Sequence, residues 1–128
     1  MRVPILKQGH NLIATIQTAP SDGDLRGLRD SLVAQVGRYR ARGAIIDITG
    51  VPAMDANVAN HLVRTVDASR LQGAMVIVTG LSPEIAQTLV TIGVDLSKMN
   101  TVGDLQGGIE EAERLLGYQV VPVPEARR

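Results

Sequence analysis

The stretch from Ala44 to Val66, AIIDITGVPAMDANVANHLVRTV, constrains the fold more than any other part of the chain. Ala44-Ile45-Ile46-Asp47-Ile48 is a short, β-branched apolar run, the pattern of a buried central strand. Gly50, Val51 and Pro52 break it. Beyond Asp55, the residues Val58, Leu62 and Val66 recur every four positions, which is the spacing of one helix face. Asp55 therefore stands at or beside the helix N-cap, with Ala56 and Asn57 in the first turn. A first turn offers N–H groups without intrahelical acceptors and the positive end of the helix dipole. It suits an acidic side chain, and equally a phosphate.

The rest of the chain continues the alternation of strand and helix. Pro4 to Lys7 and Leu12 to Gln17 read as short strands joined by a turn at Gly9, a hairpin. Ser21 precedes Asp24 by three residues, an N-cap pattern, and Leu25, Leu28, Leu32 and Val36 mark the inward face of the helix that follows. Gly43 is expected to end that unit. Met75 to Val78 is a further strand. Ser82-Pro83 opens a third helix, with Pro83 at its first position, Ile85, Leu89 and Ile92 facing inward, and Gly93 closing it. A short strand is expected near Asn100 to Val102. Thr101 and Asp104 then cap a last helix, with Leu105, Ile109, Ala112 and Leu116 inside. Gly107 and Gly108 weaken it by ~1 kcal/mol each relative to Ala, and Gly117 ends it. The pattern predicts an α/β domain with parallel neighbouring strands, made mixed by the opening hairpin. Residues 1–118 form the domain and 119–128 a frayed C-terminal tail.

A chain of 128 residues is one domain with enough core to fold without staples. It has no Cys, which excludes disulfides and thiolate metal sites and is compatible with a reducing cytoplasm, the expected location. Thirteen Lys and Arg balance thirteen Asp and Glu, so no net field draws the chain to nucleic acid or a membrane surface. The only aromatics are Tyr39 and Tyr118, too few for a base-stacking platform. Polar Gln8, His10 and Asn11 interrupt any signal-like run, and no stretch approaches eighteen apolar residues.

Asp47 and Asp55 flank the loop before the second helix, but no third group supports them as a paired-carboxylate site. Asp47 reads as a strand residue and Asp55 as a cap. His10 lies in a turn and His61 on the polar side of the second helix. Both read as solvated, since neither HxxxH nor HExxH occurs, and Gly-rich phosphate loops are absent as well. No catalytic residue, metal or cofactor is expected. The polar side of the second helix, Asn57, Asn60, His61 and Arg64, lacks charge runs. With Met54, Asp55 and Ala56 it clusters at the helix head, which the residues alone read as an ordinary capped helix; such a weakly charged, hydrogen-bonding surface also suits a docked protein better than a face rich in Lys and Glu does.

The run DITGVPAMDANVANHL resembles the signature segment of STAS domains, in which Asp-Ser or Asp-Thr opens this helix and the hydroxyl is a kinase target. Leu71 to Ser97, LQGAMVIVTGLSPEIAQTLVTIGVDLS, is similar to stressosome scaffold proteins of the RsbR and RsbS type, and Val3 to Thr18 looks most like the RsbS type, a lone STAS domain. RsbR-type chains carry an extra N-terminal sensor domain, for which this sequence is expected to have no room. The resemblance spans roughly residues 3 to 117. It implies a small mixed sheet with helices packed mainly on one face.

The resemblance also implies a function: a non-enzymatic scaffold and regulator that forms a homodimer or larger body, assembles with RsbR-type STAS proteins and sequesters an RsbT-type serine/threonine switch kinase. The partner-binding surface would be Met54, Asp55, Ala56, Asn57, Asn60 and His61. Phosphorylation at the start of the second helix would free the kinase. Here Ala56 stands where the family has Ser or Thr, as in a non-switching paralogue or an engineered variant. Thr88, in PEIAQT on the outer face of the third helix, matches a second phosphorylatable position of RsbR-type scaffolds. The alternative function is an anti-sigma-factor antagonist that binds an anti-sigma kinase directly. A third reading is a small-molecule or nucleotide binder.

Overall fold

The computed structural model describes residues 3–103 and 105–116. Strands β1 (Ile5–Gln8) and β2 (Asn11–Thr15) lead to helix α1 (Asp22–Tyr39), strand β3 (Gly43–Asp47) and helix α2 (Ala56–Leu71). Strand β4 (Met75–Thr79), helix α3 (Pro83–Thr91), a 3-10 turn (Leu96–Lys98), strand β5 (Asn100–Val102) and helix α4 (Leu105–Leu116) follow. The sheet order is β1-β2-β3-β4-β5; β1 is antiparallel to β2 and all other pairs are parallel. The hairpin turns at Gly9, whose φ of 60 suits glycine. Strand β2 is shorter than expected, but Ile16 continues its pairing by donating to Asp47 O at 2.9 Å.

Side chains alternate between the two faces of a strand, and here the alternation divides the core. Leu12 and Ala14, Ala44 and Ile46, and Val76 and Val78 face α1, α2 and α3. Ile13, Ile45 and Ile77 face α4. Every residue of β3 is buried, as expected of a central parallel strand covered on both faces. Helix α1 buries Leu25, Leu28, Leu32 and Val36, and Ser21 and Asp24 close a reciprocal capping box at its start. Ser82 caps α3 by accepting from Ile85 N, and Pro83 takes the first turn.

Two expectations need correction. Gly43 does not end the α1 unit; it is the first residue of β3. Helix α1 ends at Tyr39, and the left-handed cap is Arg40, at φ 51 and ψ 45, with its N–H donating to Val36 O. Gly43 is small for a different reason: a β-carbon there would collide with the Asn11 side chain. Ile92, at the C-cap of α3, is half-buried and packs against the core, as expected. In α4 Leu105 and Ile109 likewise pack half-buried on the second cluster beside buried Ala112, but the other fully buried residue is Gly108, read from the sequence only as a weakening residue. Gly108 lies where α4 crosses the sheet, and a β-carbon there would collide with Thr79 Cγ2. The proposed cap Asp104, the stop Gly117 and the tail lie outside the described residues.

Candidate functional site

The loop from β3 to α2 is held by a buried carboxylate. Asp47, 8% exposed, accepts from Thr49 Oγ1 at 2.7 Å, Thr49 N at 3.4 Å and Thr79 Oγ1 at 2.8 Å. These bonds join the ends of β3 and β4 to Thr49 in the loop. Gly80 packs so closely on Thr49 that a β-carbon would overlap it, and one at Gly50 would lie 2.7 Å from Gln17 O. Val51 and Met54 are buried beneath the loop, and Pro52 and Ala53 are exposed above it. The loop therefore meets α2 in a fixed position.

Asp55 is the N-cap of α2, its carboxylate accepting from Val58 N at 2.8 Å. Ala56 follows as the first helical residue, exposed. Asn57 and Asn60 are exposed beside it. The Asn57 amide donates to the carboxylate of Asp22 in the first turn of α1, and the Asn60 amide donates to Ala56 O at 3.1 Å. Ser82 Oγ donates to Pro52 O at 3.5 Å, so the start of α3 reaches the same loop. Three helix starts thus share one end of the sheet, with Asp22, Asp24, Asp55 and Glu84 at their first turns or caps.

The structure brings Asp55, Ala56, Asn57 and Asn60 together on one surface. It removes Met54, whose side chain is in the core. It also corrects His61: the ring is half-buried one turn beyond Asn57, and its Nδ1 is buried without a hydrogen-bond partner. His10 is exposed in the hairpin turn. Thr88 is half-buried on α3, its hydroxyl donating to Glu84 O at 3.1 Å. Asp47 and Asp55 are engaged separately, one in the hydroxyl cluster and one in the helix cap. Among the described residues no group of three His, Cys, Asp or Glu could hold a metal ion, and no helix is long and apolar enough to cross a membrane. Asp22 and Ser82 are parts of the surface that sequence reading missed. They join it from elements distant in the chain, and nothing local marks them.

A five-stranded mixed sheet with this capped helix start defines a class. The sequence profile of the STAS domain matches residues 7–106, and the chain belongs to that family. Among curated proteins it is 38% identical to the RsbT co-antagonist protein RsbRA of Bacillus subtilis (strain 168) over 114 residues, 89% of this chain and 40% of that protein. It is 36% identical to RsbRD of the same organism over 76 residues, 59% of this chain and 27% of that one. The chain thus spans less than half the length of these curated relatives.

Among solved structures, RsbS of Moorella thermoacetica, in a serine-to-glutamate variant, superimposes with a TM-score of 0.80 at 28% identity, covering 90% of this chain and 97% of that one. A chain solved for the molecular architecture of the stressosome, a signal integration and transduction hub, gives 0.77 at 27% identity, covering 88% and 98%. The anti-sigma factor antagonist SpoIIAA in its unphosphorylated form gives 0.71 at 10% identity, covering 91% and 98%, a likeness of fold.

Proposed function

We propose that this chain is a non-enzymatic stressosome component that assembles with RsbR-type STAS proteins and holds an RsbT-type switch kinase at the head of α2. The observation that carries the reading is the similarity to an RsbT co-antagonist along 89% of the chain, joined to a STAS fold like that of RsbS. The site supports it. Ala56, Asn57 and Asn60 are exposed on a loop and helix start pinned by Asp47, Asp55 and the Asn57–Asp22 bond. A rigid surface loses little freedom when a partner docks.

Ala56 has no hydroxyl, so in this reading the surface stays in its unmodified, kinase-holding state. In a Ser variant, phosphate would add about −1.5 to −2 charges beside Asp55 and Asp22, turning a docking face into a hydrated anionic one without unfolding the helix.

The test is capture of an RsbT-type kinase by the immobilised chain. Asn60→Glu, an exposed site, places an unpaired charge in the contact and is expected to weaken capture by about tenfold or more. Equal capture by the parent and by Asn60→Glu would place the kinase elsewhere.

A further inference from the structure

The end of the sheet opposite the α2 head is where the helices finish. Each helix follows a strand and runs back along it, so their last turns gather where the parallel strands begin. Three of the helices place a large apolar side chain in solvent there, as the last or next-to-last residue: Tyr39 on α1, Leu71 on α2 and Leu115 on α4, exposed by 44, 87 and 40%. Between the ends of α1, α2 and α4 lies an open cavity of about 440 Å³, walled by Val36, Ala41 and Leu116 against Arg40, Arg42 and Gln72. Lys7 and Arg38 sit over the Tyr39 ring at 5.9 and 5.4 Å. Glu111, on the α4 side, is held in a two-bond pair with Arg114.

Helix dipoles account for cations at this end, because helix C-termini carry negative partial charge. They do not account for an exposed large apolar residue at each of these three helix ends. Nor do they account for Arg40 in the left-handed conformation, where glycine is the usual residue and any β-carbon is strained. Tyr, Arg and large apolar side chains around a cavity are the composition of a protein-binding surface. The opposite end of the same molecule has the complementary character. Pro52, Ala53, Ala56 and Pro83 are exposed there among Asp22, Asp55 and Glu84.

We infer that this cationic, apolar end is an interaction surface, and that its occupant is the acid-rimmed α2 head of a second copy of the chain. The contact is head to tail. It uses a different patch on each copy and therefore propagates into a ring or a stack instead of stopping at a two-fold dimer. Stacking does not depend on the kinase reading. One consequence does: a stacked copy and a kinase at the α2 head exclude each other.

Sedimentation of the full chain across concentration and salt tests the contact. The mass is expected to grow with concentration and to fall as salt screens the opposed charges. Leu71→Asp alters a largely exposed side chain and should abolish growth without altering the fold. Arg40→Gly separates binding from folding. It relieves the left-handed cap, so thermal stability should hold or rise, while association weakens about tenfold. The decisive arm uses two half-blocked chains. Leu71→Arg alone and Glu84→Arg alone should each be monomeric, and their two blocked ends repel each other by like charge. Their mixture pairs the intact head of one with the intact tail of the other, giving a capped 1:1 dimer and nothing larger. Four results would overturn the proposal: a parent chain that is monomeric throughout, assembly indifferent to Leu71→Asp, no dimer on mixing, or association gained only when residues 117–128 are removed.

Discussion

Asp55, Asp24 and Asp47 are three carboxylates with three different tasks. Asp55 satisfies the Val58 N–H at the start of α2, and replacing such a cap by Ala typically costs about 1 kcal/mol. Asp55→Ala is therefore expected to lower the denaturation midpoint in urea with an unchanged slope; an unchanged midpoint would remove the cap from the account. Asp24 is half-buried, and its carboxyl is held below the ordinary 3.8, first by the Ser21 backbone N–H. A pKa lowered in the folded state contributes stability that is fully present above the unfolded value of 3.8 and is lost as pH falls through the lower folded value. NMR titration should show Asp24 among the last carboxylates to protonate, and Asp24→Asn should flatten the acid limb of the stability profile. Asp47 is buried and bonded to two hydroxyls and a backbone N–H. Thr79→Val replaces one of those hydroxyls with a methyl and leaves the carboxylate short of a partner, at an expected cost of about 1–3 kcal/mol. Chemical denaturation measures that loss directly.

Among the elements, α4 shows where local and long-range logic disagree. Helix propensity alone says that Gly108→Ala should stabilise α4 by ~1 kcal/mol. Its position against Thr79 says the reverse, because the added methyl must push the helix off the sheet. Overpacking of this kind costs about 1–3 kcal/mol. Gly108→Ala is thus expected to lower the melting temperature, and Gly107→Ala, at a half-buried position, to leave it level or raise it. A rise for both would mean that α4 does not rest tightly on β4. The same division separates what was legible in the sequence from what was not. Apolar spacing and caps placed α1, α2 and α3, because Ser21, Asp55 and Ser82 act on residues three positions away. Strand β5 was legible at its observed bounds. Gly43, Met54 and His61 were misread, since their surroundings come from distant segments: Asn11 beside Gly43, the core beneath Met54, and a buried Nδ1 on His61. The Asn57–Asp22 bond, between residues 35 positions apart, leaves no local trace at all.

In the whole molecule, three helices on one face of the sheet and one on the other place every helix start of the larger layer at one end. That end holds the pinned loop, the α2 cap and Ala56. The family assignment and the geometry both direct attention to it. The central claim is that this surface captures an RsbT-type kinase and that Ala56 keeps the capture permanent. The most direct measurement follows kinase release in the presence of ATP, with the modified peptide mapped, for the parent chain and for Ala56→Ser. The parent chain should keep its kinase and gain no phosphate at residue 56. The Ser variant should gain one phosphate there and release the kinase on the same time course; any modification at Thr88 is scored separately by the mapping. A Ser variant that takes up phosphate at residue 56 yet holds the kinase as tightly as before, or a parent chain that never binds it, would contradict the account.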